Sequence, residues 1–522
     1  MSIKKINRSG SGLLALLTIG GLARANVTVP SIISDHMVLQ AEMETPIWGY
    51  ADPGEEVRVS FGQQSKTTQA DASGKWKVKL DKLPLGASGA LNIKGNNTLV
   101  IKDVLAGEVW LCSGQSNMVM SLKWANSSKA LAMGNHKTPQ SDPVAANLGG
   151  AIRIFLEQSG SATKPQNLGK GRWVVIEPAN VDGHSAVAFY FARELHQKLN
   201  RPMGMITSSV GGTPIEAWTD LEMQKSKPEL KPVLDSWAAV QSAYNPAAEK
   251  ALFEKRQAAY PDSVAKAKEQ GKTIPPEPRL TPPPCETPSY PGNLFNGKIA
   301  PLASYGIRGV LWYQGESNAR KNSELYAAQL QLLVSHWRAL WGQGDFPFAW
   351  VQLPNFNAEK GNFTGWTIVR EGMLKSLSVP NTGMVVTIDL GEPEDIHPYR
   401  KLEVAQRLSL WALAKVYGKD IPFSSPLPAG QEIKEDKIIC TFKYADGGLK
   451  TRDGAEVKGF EVAGADRKWF PANSKIIGHR VEVSSQEVKK PVAVRYAWAG
   501  NPVCNLVNGS DLPASPFRSE EW

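Results

Sequence analysis

Two kinds of hydrophobic pattern divide the chain into three regions. In residues 26–103, apolar and polar side chains alternate in short runs such as 56–61 and 75–80, and turn residues separate these runs. A period of two is typical of β-strands that bury one face. The pattern therefore predicts a small β-sandwich domain over 26–103, and short strands after residue 421 predict a second β domain over 422–522.

The middle region, residues 104–421, alternates apolar strands with long amphipathic segments. This alternation is typical of βαβ units, and it predicts an α/β domain built on a parallel sheet. Residues 223–290 interrupt it with a stretch rich in Lys, Glu, Ala and Pro, which we interpret as a helical insertion with a proline-rich return. The predicted strands are 108–112, 153–156, 203–210, 308–313, 349–353 and 384–389, and the predicted helices are 186–199, 323–341 and 402–416.

The first 25 residues have the three parts of a secretory signal peptide. Lys4, Lys5 and Arg8 precede the apolar run 13–22, and Ala23-Arg24-Ala25 fits an A-x-A cleavage site. The apolar run is too short to span a bilayer, and no later stretch is long enough either. We therefore expect a protein exported to the periplasm or the medium, with no membrane span after the signal is removed.

Charge and cysteine content exclude one class of partner and leave other questions open. The net charge is +9, but the basic residues are spread along the chain without the cluster that nucleic-acid binding requires. We therefore expect no nucleic-acid partner. Four cysteines are too few for a disulfide framework, although Cys440 and Cys504 could pair in an oxidising compartment. The oligomeric state stays open.

A candidate nucleophile follows the first strand of the middle region. The predicted strand 108–112, apolar apart from Glu108, leads directly into a turn at Gly114, after which Ser116 begins a predicted helix. Serine hydrolases expose their nucleophile at such a strand end, where backbone N–H groups can face a developing oxyanion. The full G-x-S-x-G pattern is absent because Met118 occupies its last position. Ser116 therefore needs support from other strand ends.

Two further strand ends carry groups suited to an oxyanion hole. One strand is followed by two glycines, of which Gly212 can bring its backbone close to a ligand. Another is followed by the amide side chains of Gln314 and Asn318. Because parallel strands end at the same edge of their sheet, we expect these groups to meet Ser116 there.

A serine nucleophile needs a base, and His397 is the best placed of the seven histidines. It follows the last predicted strand of the middle region across a short acidic loop. A carboxylate beside it would orient the imidazole and stabilise its cation. Asp395 is our first choice, and Glu394 and Asp389 stay open because sequence does not fix which carboxylate reaches Nδ1. His184, which opens a predicted helix, is a weaker rival.

Four blocks of residues carry this candidate chemistry. They are Gly114 to Met118, Gly211 to Trp218, Trp312 to Ala319 and Asp395 to Pro398. Together they resemble the blocks of the sialate O-acetylesterase family, which belongs to the SGNH hydrolases. Further similar segments, 34–40 and 513–518, extend the resemblance to nearly the whole mature chain.

The resemblance implies a fold, an activity and a set of roles. The expected fold is a flavodoxin-like SGNH hydrolase domain flanked by the two β-sandwich-like domains. The expected activity is hydrolysis of O-acetyl esters on carbohydrates, with no metal and no cofactor. By position, the resemblance implies Ser116 as the nucleophile, Asp395 as the orienting acid and His397 as the base, with Gly212 lending an oxyanion N–H.

One position departs from the general SGNH pattern. That pattern has an Asn that donates to the oxyanion, and Ser317 stands in its place here. We expect Gln314 or Asn318 to supply the missing donor, and we favour Gln314. The general pattern also spaces Asp and His by three residues, whereas Asp395 and His397 are two apart.

Two other functions use the same residue types. A general short-chain carboxylesterase or a lipase is one alternative, although a lipase needs a wide apolar mouth and the loops here are rich in Gln, Asn, Glu and Ser. A non-catalytic carbohydrate-binding protein is the other, since β domains flank the middle region. The sugar itself stays open between sialic acid and plant polysaccharides. Trp218 is a candidate platform for a sugar ring, and Arg370 is a candidate partner for a sugar carboxylate.

Overall fold

The computed structural model describes residues 26–129, 148–358, 363–520 and 522. The predicted signal peptide, residues 1–25, lies outside these ranges. Within the described part of the chain, no helix combines the length and the apolar character that a membrane crossing requires.

The N-terminal region consists of short strands with alternating burial. In Glu56–Phe61, for example, Val57, Val59 and Phe61 are buried while the residues between them are more exposed. This is the period of two that predicts strands. The strands of the region are β1 (Val38–Gln40), β2 (Thr45–Tyr50), β3 (Glu56–Phe61), β4 (Gln64–Gln69), β5 (Lys75–Leu80) and β6 (Ser88–Lys94).

One long strand, β7 (Thr98–Gly114), joins this region to the centre of the molecule. Its first half pairs with β6, and its second half enters the central sheet. The predicted domain boundary after residue 103 therefore falls within a continuous strand. The second half is buried on both faces, which explains the apolar run at residues 109–112 that predicts a separate strand.

The central sheet has seven strands in the order β13-β12-β11-β7-β10-β8-β9. All neighbouring pairs are parallel except β8 and β9. Parallel pairing brings the carboxyl ends of the strands to one edge, with β7 between β10 and β11. The other strands of this sheet are β8 (Ile152–Glu157), β9 (Gly171–Val175), β10 (Met203–Ser209), β11 (Gly309–Tyr313), β12 (Phe348–Val351) and β13 (Thr382–Val385).

Helices cover both faces of this sheet, as the mixed α/β pattern predicts. Successive residues of β7 enter opposite cores: Trp110 and Cys112 pack on one face, and Val109 and Leu111 on the other. The predicted helix 323–341 begins with a short 3-10 turn before α7. The helices are α1 (Ser116–Val119), α2 (Leu122–Ala125), α3 (Ala186–Leu199), α4 (Leu221–Lys225), α5 (Lys231–Ala243), α6 (Pro246–Glu269), α7 (Tyr326–Trp341), α8 (Trp366–Lys375) and α9 (Lys401–Lys415).

The insertion lies between β10 and β11. It contains α4, α5 and α6, and residues 272–283 then return without regular structure through several prolines. Near its start, the 3-10 turn Ile215–Trp218 is fully buried. The insertion follows the carboxyl end of β10, and its far end returns beside this turn, where the N–H of Gly292 donates to the Glu216 carbonyl oxygen at 3.0 Å.

The C-terminal region is again made of short strands. Cys440 and Cys504 are both free thiols in it, so the suggested disulfide is not formed. The strands are β14 (Leu427–Lys434), β15 (Lys437–Lys443), β16 (Leu449–Thr451), β17 (Phe460–Ala463), β18 (Trp469–Pro471), β19 (Asn473–Ile477), β20 (Arg480–Ser484), β21 (Ala493–Tyr496), β22 (Leu506–Asn508) and β23 (Phe517–Arg518).

Arg370 joins the C-terminal region to the α/β region. Its guanidinium is fully buried and donates to the carbonyl oxygens of Leu353, Ala499 and Gly500. The suggested role of Arg370 as a partner for a sugar carboxylate is therefore wrong, because its donors are used in holding two parts of the protein together.

Candidate active site

Loops from the carboxyl edge of the central sheet surround one cavity of about 760 Å³. They follow β7, β10, β11 and β13, as the strand order allows. A cavity of this size at the carboxyl ends of parallel strands is typical of a small-molecule site. Its lining includes Ser116, Gly212, Ser317, His397, Trp124 and Trp237.

Ser116 is exposed by a tight turn at the end of β7. Gly114 has a φ of +136°, and a Cβ at this position would overlap the carbonyl oxygen of Tyr313 on β11. The same oxygen accepts the N–H of Gln115 at 3.0 Å. The neighbouring strand therefore closes the turn, and only glycine fits it. Ser116 begins α1 directly afterwards, where backbone N–H groups have no partner within the helix.

His397 lies within hydrogen-bond distance of Ser116. Its Nε2 is 2.9 Å from the Ser116 Oγ, although 281 positions separate the two residues in sequence. Burial lowers the pKa of His397 from its usual value, and the charge of Lys401 lowers it further, while Asp395 opposes both. The imidazole is therefore held in the neutral form that accepts a proton. The ring of Trp124 packs beside it, with 5.0 Å between ring centres.

Among the three candidate carboxylates, Asp395 is placed at the histidine. Its Oδ1 lies 3.7 Å from His397 Nδ1 and accepts the backbone N–H of His397 at 3.0 Å. The first distance exceeds a hydrogen bond, so a small movement is needed to form one. Asp389 is instead paired with Arg407 and Arg452.

The third candidate, Glu394, accepts a hydrogen bond from Asn357. Asp395 is held from its other side, where Oδ2 accepts from Tyr399 at 3.1 Å and from Lys129 at 2.6 Å. Burial raises the pKa of Asp395, but these hydrogen bonds outweigh it and keep the pKa below its usual range. Asp395 therefore stays ionised beside the imidazole.

The glycines after β10 lie against the serine. A Cβ on Gly211 would be 3.4 Å from the Ser116 Cβ, so the loop packs directly on the nucleophile candidate. Gly212 has a φ of +72° and lines the cavity. This left-handed conformation favours glycine and turns the loop towards the site, where sequence predicts an oxyanion donor.

The two predicted amide donors are engaged elsewhere. Gln314 is fully buried, and its Nε2 donates to the Thr213 carbonyl at 3.2 Å and to the Asn318 Oδ1 at 2.7 Å. Asn318 Nδ2 donates to Glu216 at 3.0 Å. The two amides thus brace the loop after β10. The geometry contradicts the preference for Gln314 as a donor into the cavity, because both of its N–H groups already have acceptors.

Gln115, which sequence reasoning missed, presents an amide to the cavity. Its Oε1 accepts the backbone N–H of Ser317 at 3.3 Å, and this donor fixes the orientation of the amide. The Nε2 of this cavity-lining residue has no acceptor among the described residues and is therefore available as a donor. Its position next to Ser116 was the only signal in the sequence.

Two other sequence candidates lie away from the cavity. His184 is buried, its Nδ1 has no partner among the described residues, and it does not line the site. Trp218 is fully buried and packs edge-to-face on Trp312, so it is not a sugar platform. The tryptophans that do line the cavity are Trp124, which is 40% exposed, and Trp237 of the insertion.

The described residues contain no group of three His, Cys, Asp or Glu side chains placed to hold a metal ion.

Comparisons with known proteins give consistent results. A family model described as carbohydrate esterase, sialic acid-specific acetylesterase matches residues 293–408. The sialate O-acetylesterases of Mus musculus and Homo sapiens are 30% and 32% identical to the chain, over 98% and 93% of it and over 97% and 91% of their own lengths. A carbohydrate acetylesterase from Xanthomonas citri has a similar crystal structure, with a TM-score of 0.77 at 33% identity, covering 95% of this chain and 100% of that one.

Proposed function

The chain belongs to the sialate O-acetylesterase family, and from this premise we propose that Ser116, His397 and Asp395 form its catalytic triad. The enzyme hydrolyses O-acetyl esters on carbohydrates. The observation that carries the triad is the 2.9 Å contact between His397 Nε2 and Ser116 Oγ in the cavity. We assign the middle region to the flavodoxin-like SGNH fold, and we infer export from the signal-like residues 1–25.

In the first step, Ser116 Oγ attacks the acetyl carbonyl carbon while His397 Nε2 takes the hydroxyl proton. Asp395 stabilises the imidazolium that forms. The C–O bond to the sugar then breaks, and His397 returns the proton to the departing sugar oxygen, which leaves as a hydroxyl group. The product of this step is an acetyl ester on Ser116.

In the second step, water attacks the acetyl-enzyme. His397 removes a proton from the water, and the collapse of the tetrahedral intermediate releases acetate and regenerates the Ser116 hydroxyl. Both steps need neutral His397. The lowered pKa of this residue keeps it neutral further into the acidic range than an exposed histidine.

Three N–H groups form the proposed oxyanion hole. They are the backbone N–H groups of Ser116 and Gly212 and the side-chain Nε2 of Gln115. Gln115 replaces Gln314 in this role because its amide nitrogen faces the cavity, whereas that of Gln314 is bound to Thr213 and Asn318. A donor fixed in place by Ser317 loses little entropy when charge develops.

The shape of the cavity supports a carbohydrate substrate. Its volume of about 760 Å³ is far larger than an acetyl group, and its wall carries Trp124 and Trp237. Indole faces suit the apolar face of a sugar ring, and Arg320 and Lys321 add hydrogen-bond donors at the rim. These groups support a saccharide alcohol as the leaving group of the ester.

Release of the acyl group as its free acid tests this proposal. Wild type and Ser116→Ala would be compared on acetylated sialic acid, acetylated xylan and xyloglucan, and butyryl and octanoyl esters. Ser208→Ala is a matched control, because Ser208 is a buried serine of β10 whose hydroxyl has no partner among the described residues. We expect release from acetylated sugars that is lost only in Ser116→Ala. Release that survives in Ser116→Ala contradicts the triad, and binding without release supports the binding-protein alternative.

A further inference from the structure

A cluster of buried polar groups lies directly behind the proposed triad. Lys401, the first residue of α9, and Glu316, in the loop after β11, are each 1% exposed. Asn117, the residue after Ser116, is fully buried between them. Lysine and glutamate are almost never buried to this extent without a specific partner.

The contacts within this cluster are short and directional. Lys401 Nζ donates to Asn117 Oδ1 at 2.7 Å. Asn117 Nδ2 donates to Glu316 Oε1 at 2.5 Å and to the carbonyl oxygen of Ile396 at 3.1 Å. Because an ammonium only donates and a carbonyl only accepts, both ends of the Asn117 amide are fixed.

The cluster connects three segments of the site. Asn117 lies in α1 directly after Ser116, Glu316 in the loop after β11, and Ile396 in the loop that carries His397. The hydrogen bond from Asn117 to Ile396 therefore holds the backbone one residue before the base. In this way Lys401 fixes the amide that sets the distance between nucleophile and base.

We propose that Lys401 is a positioning residue for His397, acting through Asn117 on the Ile396 carbonyl and through its charge on the imidazole. The inference rests on the proposed role of His397 as the base. Lys401 itself does not touch the substrate, since it is buried beneath the cavity and does not line it.

The charges around both groups give the direction of the effect. His397 is faced by Asp395 and Lys129 as well as by Lys401. Burial lowers the pKa of Lys401 to about 7, while Glu316 and Asp395 oppose this change. Where Lys401 is charged, it disfavours the imidazolium, so removing the charge raises the pKa of His397. A raised pKa protonates the base at higher pH.

Two tyrosines also face the cluster. The ring of Tyr313 lies 5.1 Å from the Lys401 ammonium, and Tyr399 donates to Asp395. Burial raises the pKa of both phenols, so both stay neutral over the range in which His397 titrates. They therefore leave the direction of the predicted shift unchanged.

The pH dependence of kcat/KM for acetate release tests the proposal. In Lys401→Met we expect the acidic limb to move up by about half a pH unit or more, because the base loses a neighbouring cation. Lys298→Met is the matched control, since Lys298 is an equally buried lysine paired with Glu157 outside the site. Its acidic limb should match that of the wild type. An unmoved limb in a folded Lys401→Met enzyme overturns the electrostatic role.

A second variant, Asn117→Ala, tests the positioning role without removing the lysine. We expect kcat to fall about tenfold or more with KM within about twofold, because a misplaced base slows the chemical step and leaves binding intact. An unchanged kcat in Asn117→Ala overturns the positioning role. This result can be obtained even if Lys401→Met does not fold. Ser116→Ala, measured in parallel, distinguishes the two proposals. If release is lost in Ser116→Ala while Lys401→Met and Asn117→Ala behave as wild type, the proposed triad stands and the role of Lys401 is overturned.

Discussion

The two edges of the central sheet each bury a carboxylate, and the surroundings of the two differ. Glu108, at the amino edge, is fully buried and accepts from Arg201, Arg308 and Tyr417. Burial raises its pKa, but the two arginines outweigh this and hold the pKa below the usual range. Its charge is thus compensated on both oxygens.

Glu316, at the carboxyl edge, is treated differently. Asn117 donates to its Oε1, while its Oε2 has no hydrogen-bond partner among the described residues. Burial raises the pKa of Glu316, and the hydrogen bond and the charge of Lys401 only partly oppose it. Incompletely satisfied buried groups cost stability, and they gather where a site uses them. The carboxylate at the amino edge is therefore fully compensated, whereas the carboxylate beside the proposed triad is not.

His397→Ala should give the largest effect. We expect kcat for acetate release to fall at least about 10,000-fold, because the nucleophile loses its base. The melting temperature should change little, because His397 lines the cavity and is not part of the hydrophobic core. His184→Ala is the matched control, since it removes a buried histidine outside the cavity, and it should keep most of the activity. A reversal of the two activities would move the base to His184.

Gln115→Ala sharpens the assignment of the oxyanion hole. We expect kcat to fall by about 100- to 1,000-fold, the cost of removing one preorganised donor. Gln314→Ala serves as the comparison, because its amide braces the loop after β10. It should lower stability more than Gln115→Ala and kcat less. The opposite ranking of the two kcat values would restore the donor role to Gln314.

Paired substitutions of the two carboxylates test the comparison of edges directly. Glu108→Gln should lower the free energy of unfolding by about 3 kcal/mol, because two arginines lose their counter-charge. Its kcat should stay near the wild-type value. Glu316→Gln should lower kcat by about tenfold and change the free energy of unfolding by less than about 1 kcal/mol. Urea denaturation gives the free energy of unfolding of each variant, and acetate release gives its kcat. Equal losses of unfolding free energy in the two variants would contradict the proposed difference between the two edges.

Lys129→Ala should give the smallest effect. Its ammonium contacts Asp395 at 2.6 Å, but the side chain is 64% exposed, so water and salt screen the pair. We expect kcat to change by less than about threefold. Glu42→Gln is a control at the other edge, where the 49% exposed Glu42 pairs with Arg201. A larger fall in kcat in Lys129→Ala, reproduced in the wild type by high salt, would show that the charge of Lys129 on Asp395 contributes to the reaction.

Sequence patterns predict the frame of the site because parallel strands end together. The turn at Gly114, the glycine at 212 and His397 each follow an apolar strand, and the sheet brings these strand ends to one edge. The two rival carboxylates Asp389 and Asp395 can be told apart only by the side chains that contact them. Asp389 pairs with Arg407 and Arg452, while Asp395 lies at the imidazole, and no local pattern encodes this difference.

Three errors have the same physical origin. Gln314, Trp218 and Arg370 have the side chains that a sugar esterase needs, and each is buried with its polar groups bonded inside the protein. Residue type indicates what a side chain can do, whereas tertiary packing decides which way it faces. Trp124 and Lys401 were missed for the converse reason, since neither lies in a pattern that distinguishes it from an ordinary core or surface residue.

Covalent labelling tests whether Ser116 is the nucleophile. The enzyme would be treated with a fluorophosphonate, which reacts with activated serines, and the adduct would be located by peptide mass spectrometry. We predict a single adduct on Ser116, loss of acetate release in proportion to labelling, and no adduct in Ser116→Ala or at an appreciable rate in His397→Ala. An adduct on another residue that accompanies complete loss of activity would contradict the assignment of Ser116.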